Sequence, residues 1–363
     1  MTQDKRNYGL DLYRIMAMMM ITILHLVDFR YKMLDFSNSS AVFCIGMLGE
    51  SFSCCGVDCF ALLTGFLAGA RQFDYDEKWF LKVFQLWVKV VLWSIPIYLI
   101  AVIIKPELNF SVKTFIVSFF PRGLGWWYIY AYFGLLMLLP ILSGVAMRLP
   151  VRSQIFGGLA IFSVFLIFAK VPTGNSFCLH GGYSCLWLSI CFVFGQILST
   201  VGDRFIAWRP GNYILAAGAI LGGGLPFVSQ LLYYFFKFDC RKLLPMSYLS
   251  PFTLMQAVCL LLLFYQIRIK GDIVKKATAF LSVNSLGIYL FQCHAVMWGV
   301  LFVPKNMVYS HAYELLWKFP LALIGIVAVG VFGDYVIHGI SGSSIVSIAG
   351  KAIYRRLSKI IIS

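Results

Sequence analysis

The chain reads as all-α: a polytopic integral-membrane helical bundle with about ten transmembrane helices, N-in/C-in. Three features carry this expectation. Of its 363 residues, 60% are hydrophobic and only 12% charged, against roughly 45–50% and about 25% in soluble domains. Apolar runs recur from Leu10 to Ile340 with short polar breaks between them. Those runs are continuous and about 20 residues long, the length of a spanning helix, rather than about 10 and alternating as in a barrel. Mean hydropathy is +0.84.

The first span, 9–29, follows Lys5 and Arg6 and shows no small-residue cleavage site, so it reads as a retained helix rather than a removable signal peptide. The second, 43–69, ends at the basic break Arg71 to Lys78, and the third is 79–104. Phe110 to Pro121 is apolar but too short to cross, which suits a surface or re-entrant segment. Seven further runs follow at 126–147, 154–171, 183–200, 212–235, 248–267, 278–302 and 315–338. Residues 1–345 thus form a single membrane domain, followed by a basic tail, 346–363, whose KAIYRRLSKI stretch suits an amphipathic helix on anionic lipid. No internal repeat, low-complexity tract or linker is evident, so any chemistry is expected among the spans.

The net charge of +15 would suggest nucleic acid in a soluble protein. Here the basic residues sit mainly between spans, and no stretch interleaves aromatics with a basic groove. Their first meaning is topology. With the N-terminus in the cytoplasm, the inside segments hold Lys5, Arg6; Arg71, Lys78; Arg148, Arg152; Arg204, Arg209; Arg268, Lys270, Lys275, Lys276; and the tail. The outside total is smaller, although Lys237, Arg241 and Lys242 weigh against this orientation. The ten cysteines form no CxxC pair and no metal-ligand spacing with histidine. Cys54, Cys55 and Cys59 read as small hydrophobes rather than metal ligands, and no metal is expected. Cys178 and Cys185 flank a polar loop and become a candidate disulfide only if that loop faces an oxidising compartment.

Residues 14–25, RIMAMMMITILH, place two ionisable side chains inside an apolar helix. Arg14 and His25 are eleven positions apart. At about 100° and about 1.5 Å per residue, they share a face and are separated by about 16 Å along the axis. Asp11, three residues before Arg14, is placed to pair with it. Ionisable groups within spans mark pathways or reaction centres. The competing readings are an Arg14 that snorkels to headgroups beside a neutralising Asp11, and a His25 bonded to a neighbouring helix. A guanidinium at a cytoplasmic mouth binds phosphate, and a histidine is the commonest general base. Acyl-coenzyme A, with phosphates at one end and a thioester at the other, has the form to span the two.

The stretch GLDLYRIMAMMMITILH resembles the first helix of the membrane acyltransferase-3 family, whose hallmark is Arg, ten residues, His, with an aspartate three residues before the Arg. GVDCFALLTGFLAG is similar to that family's second-helix pattern, with Thr64 in place of the usual serine. GWWYIYAYFGLLMLLPIL and SVNSLGIYLFQCH resemble its aromatic segment and its late Tyr-Leu helix. Two departures stand out. Gln292 occupies the place where the family often has a histidine, and His294 lies about 200° away around the helix. The basic run after the second helix is spread over Arg71, Lys82 and Lys89, the last two seven residues apart and on one face.

The resemblance implies an integral-membrane O-acyltransferase, surface polysaccharide O-acetyltransferase-like, in the bacterial cytoplasmic membrane. The donor it implies is acyl-CoA, most simply acetyl-CoA as co-substrate; the acceptor is a glycan or lipid-linked sugar hydroxyl. His25, Arg14 and Asp11 are the catalytic candidates. Arg14, Arg71, Lys82 and Lys89 are the candidates for holding donor phosphates, although the two lysines equally suit headgroup snorkelling. Trp126, Trp127, Tyr132 and Thr64 are the candidates for the acceptor, although an interfacial aromatic belt also accounts for the aromatics. Glu50 and Asp58 would need partners if buried. Asn284 and Ser285 suit either a cavity lining or bonds between helices. His180, His311 and His338 receive no role. A transporter or flippase for a lipid-linked sugar is the alternative, since it too would use intramembrane charges and aromatic surfaces. A polysaccharide polymerase would favour a larger outer loop than any present here.

Overall fold

The computed structural model describes residues 6–35, 39–69, 71–104, 111–117, 126–169, 178–207, 211–294, 297–298, 301–302 and 312–362. Among the described residues the protein is helical, with no strand. Helix α1 (Tyr8–His25) starts where the Asn7 side chain accepts the backbone N–H groups of Gly9 and Leu10, a cap for donors that a helix start leaves unpaired. It runs directly into a π-helical turn, Leu26–Arg30, in which Tyr31 N–H reaches back five residues to Leu26 O at 2.9 Å. Helices α2 (Ser40–Ser53) and α3 (Gly56–Ala68) follow, joined by a short bend at Cys54 and Cys55. The remaining helices are α4 (Glu77–Ile104), the short α5 (Val112–Val117), α6 (Trp127–Arg148), α7 (Val151–Ala169), α8 (Cys185–Ala207), α9 (Gly211–Phe236), α10 (Pro251–Tyr265), α11 (Asp272–Val283), α12 (Ser285–Gln292), α13 (Leu315–Ser341) and α14 (Ser344–Ile362).

Among the described residues, six segments are long and apolar enough to cross a membrane: Tyr8–Arg30, Ser40–Ala68, Glu77–Ile100, Cys185–Asp203, Gly211–Phe236 and Leu315–Ser341. Trp127–Ser143 and Pro251–Tyr265 are shorter apolar helices. The expected span 278–302 is not one helix. It breaks at Asn284, whose amide donates to Phe280 O at 2.8 Å, and α12 ends at Gln292. A further turn carries Trp298 and Phe302, with Trp298 N–H bonded to His294 O and Phe302 N–H to Trp298 O. Broken backbone at membrane depth is tolerated where it is enclosed by protein or lines a cavity. Cys54, Cys55 and Cys59 are buried free thiols, and Cys178 and Cys185 are also unbridged.

Helix α1 lies at the centre, against α2, α3, α10, α11, α12 and α13. Tyr13 and Ala17 on it are fully buried, and the Tyr13 hydroxyl donates to Ala257 O at 2.8 Å. Between α3 and α8 the approach is backbone on backbone. A Cβ at Gly65 would stand 1.9 Å from Phe192 O, and one at Gly195 would stand 2.1 Å from Leu62 O. Such contacts through small residues are how helices associate where no water drives them together. Gly287 and Gly330 do the same for α12 and α13.

Helices α4 and α13 are joined by a buried ion pair. Lys89 Nζ lies 2.7 Å from Asp334 Oδ2, and Trp93 Nε1 donates to the other carboxylate oxygen at 3.1 Å. Asp334 is wholly inaccessible and the Lys89 side chain nearly so. Removing one partner leaves the other charge buried and uncompensated, at a cost of about 3–5 kcal/mol, whereas replacing both by apolar groups is often near neutral. Asp334→Leu should therefore sharply lower the thermal unfolding midpoint of the purified protein in detergent. The double variant Lys89→Met/Asp334→Leu should recover most of that loss.

Candidate active site

Beside a larger apolar cavity lined by Met16, Met19 and Ile23, two cavities with polar linings open along α1 among the described residues. The one at its C-terminal end, of about 480 Å³, is lined by His25 together with Asp28, Glu50, Trp127, Tyr183 and Tyr248, among others. His25 stands inside an aromatic frame. Its ring meets Trp298 edge-on at 4.9 Å, Phe302 at 5.5 Å and Phe29 at 6.2 Å between centroids. Gln292 donates its amide to Thr22 Oγ1 at 3.2 Å, one turn before His25 on α1. Nδ1 of His25 is buried and meets no partner among the described residues. The π turn begins immediately after His25 and brings Asp28 and Phe29 to the same cavity. Such turns, rare elsewhere, recur at functional sites. Across the cavity, Trp127 and Tyr248 stack at 6.4 Å, and Tyr183 closes on both at 4.5 and 5.2 Å.

The second cavity, of about 210 Å³, surrounds Arg14. Its other polar lining comes from Thr64, Lys89, Tyr128, Tyr132, Ser282 and Ser285. Arg14 Nη1 donates to Ser282 Oγ at 3.2 Å, and Ser282 Oγ in turn donates to Asp11 Oδ1 at 2.7 Å. The same few elements line both cavities. Helix α1 supplies Arg14 and His25, α6 supplies Tyr132 and Trp127, and the broken segment from α11 onward supplies Ser282 and Cys293.

The structure places the expected site residues unevenly. Arg14 and His25 both face cavities, as their shared helix face predicts. Asp11 does not pair with Arg14 directly. Its carboxylate takes two bonds from Arg6, at 2.6 and 3.1 Å, and reaches Arg14 only through Ser282. Arg6 precedes the first span, and its hydrogen bonds to Asp11 hold its pKa above the ordinary value. Lys89 lines the Arg14 cavity but is already engaged by Asp334, whereas Lys82, expected on the same face, is exposed. Arg71 is exposed just past the end of α3. Of the four acceptor candidates, Trp127 alone lines the His25 cavity. Tyr132 and Thr64 belong to the Arg14 cavity. Trp126 is fully buried, donates to Leu290 O at 3.1 Å and packs against the His294 ring, so it is a packing residue rather than a stacking surface. The Asp58 carboxylate, also buried, accepts Trp187 Nε1 at 2.8 Å. His311 lies outside the described residues.

Several lining residues were not singled out from sequence. Asp28 carries a legible signal, a charge in an apolar run three residues past His25. Tyr183, Tyr248 and Trp298 carry none, because aromatics at span ends are common.

No curated protein and no solved structure matches the chain. One family model does: the acyltransferase domain of the acyltransferase-3 family matches residues 7–337, nearly the whole length. The match takes in the helix that carries Arg14 and His25 and every helix that lines the two cavities. This multi-pass integral membrane protein belongs to the acyltransferase-3 family of membrane acyltransferases.

Proposed function

We propose that the protein is an O-acyltransferase. It moves an acyl group, most simply acetyl, from cytoplasmic acyl-coenzyme A to a hydroxyl of a sugar in a lipid-linked or cell-surface polysaccharide. The observation that supports this reading is the pair of cavities on α1, one holding Arg14 and Lys89, the other His25. The helical rise between Arg14 and His25 is about 16 Å. A donor with phosphates at one end and a thioester at the other suits that division. With the N- and C-termini in the cytoplasm, as the loop charges favour, the Arg14 cavity lies on the side from which the donor arrives. By family likeness the membrane is the bacterial cytoplasmic membrane.

His25 acts as the general base. The acceptor oxygen attacks the thioester carbonyl carbon, a C–O bond forms, and the hydroxyl proton passes to the imidazole. The C–S bond then breaks, and the imidazolium returns the proton to the coenzyme A sulfur. The aromatic frame holds the ring in place for both transfers. Arg14 holds a donor phosphate by charge-assisted hydrogen bonds. Asp11 orients Arg14 at one remove, through the Ser282 hydroxyl. Exposed Arg71 and Lys82 draw the anionic donor toward that mouth.

Membranes holding the wild-type protein, given labelled acetyl-coenzyme A and lipid-linked glycans of the source cell, should yield base-labile label on glycan. His25→Ala should lower the rate by about 10²–10⁴ at matched expression, the range for a general base. Equal labelling by both proteins would remove His25 from the chemistry. Arg14→Ala should raise the donor KM by about tenfold to a hundredfold, the loss of one charged hydrogen-bond partner. Unchanged donor saturation in that variant would end its phosphate role.

A further inference from the structure

The two cavities on α1 differ in charge. The Arg14 cavity is lined by Arg14 and Lys89 amid hydroxyl groups. The His25 cavity is lined by two carboxyl groups, Asp28 from the π turn and Glu50 from α2. Glu50 is placed for binding rather than for holding the fold together. Its Oε2 is buried and meets no hydrogen-bond partner among the described residues. Asp28 is near enough to act on it electrostatically. A buried polar atom that the protein leaves unpaired is costly unless something else pairs it. In this aromatic-lined cavity that partner is a donor group on the ligand. Trp127, Tyr248 and Trp298 supply apolar ring surface beside these carboxyls. Such surfaces suit the C–H face of a sugar, and they attract cations.

We infer that Glu50 and Asp28 set the charge specificity for the acceptor: the cavity takes a sugar whose reacting hydroxyl is flanked by neutral or ammonium groups, and rejects one bearing a carboxylate or phosphate there. This rests on the His25 cavity being the acceptor site of the proposed transferase. A hydroxyl or ammonium group pairs the open Glu50 oxygen. An acidic substituent is brought beside two carboxyl groups in a lining that contains no lysine or arginine to pair it, and an unpaired buried charge is a common source of specificity. The basic lining of the other cavity favours the donor phosphates at the Arg14 end, so that the thioester is the part of the donor presented to His25.

The test uses the full chain in nanodiscs and three probes of one ring: p-nitrophenyl β-D-glucoside, glucosaminide and glucuronide. Binding is read by calorimetry and, in parallel, acyl transfer from labelled acetyl-coenzyme A. The wild-type protein should bind the glucuronide at least about tenfold more weakly than the other two. Glu50→Gln and Asp28→Asn should each narrow that ratio to a few-fold, with thermal midpoints near wild type. A merely structural role would weaken all three probes alike and leave the ratio unmoved. Glucuronide binding as tight as glucoside binding, a ratio unchanged in both variants, or binding of none of the probes would each overturn the inference. Charge-selective binding with no coenzyme A-dependent ester on any probe or on the source glycans would instead remove the transferase reading and leave the selectivity standing.

Discussion

A helix that carries Asp11, Arg14 and His25 cannot turn those groups toward lipid, and this prohibition organises the bundle around α1. In hydrocarbon an ionisable side chain needs a partner, a cavity or a route to the surface. Each of the three is met differently. Asp11 is tied to Arg6 outside the span and to Ser282 on a neighbouring helix. Arg14 shares the Ser282 hydroxyl and otherwise faces a hydroxyl-lined cavity. His25 is framed by aromatic rings and lines a cavity. All three solutions require other helices around the whole of α1, which is where the structure puts them. The central position of the first helix and the placement of the polar cavities beside it thus have one cause.

The surrounding helices approach closely through glycine rather than through large interlocking side chains. Gly65 against Phe192 O and Gly195 against Leu62 O bring α3 and α8 into backbone contact, and Gly287 and Gly330 do so for α12 and α13. Close contact in these places leaves room elsewhere. The two cavities lie where the approach is looser and the helices are interrupted, at the Asn284 break and beyond the end of α12. The irregular backbone there is shielded from lipid by the helices outside it.

Much of the fold was legible in the sequence because hydropathy reports length and burial directly. The apolar runs at 9–29, 43–69, 79–104, 183–200, 212–235 and 315–338 correspond to segments long enough to span. The run 278–302 misled, because hydropathy does not register a helix break: Asn284 and Gln292 interrupt the hydrogen-bond ladder without interrupting the apolar character. At the candidate site, helical phase placed Arg14 and His25 on a shared face, and each lines a cavity of its own. Partners across the bundle were not readable. Nothing in the sequence says that Lys89 meets Asp334, 245 positions away, or that Asp11 meets Ser282, 271 positions away. Nor could sequence separate Trp126 from Trp127. Neighbouring residues on a helix start point in different directions, so one is buried under Leu290 and the other walls the cavity.

The π turn after His25 has a consequence for how this helix tolerates change in length. Bonds spanning five residues instead of four accommodate an extra residue in the first span, and the helix stays continuous while its phase shifts. Deleting one residue from 26–30 would restore ordinary helical bonding and need not weaken α1. It would nevertheless rotate everything downstream, carrying Asp28 and Phe29 out of line with His25 and Arg30 away from Leu301 O, to which its guanidinium now donates. The local irregularity thus acts as a phase setting between the imidazole and the mouth of its cavity. A chain shortened there would remain a good membrane helix and become a misaligned site.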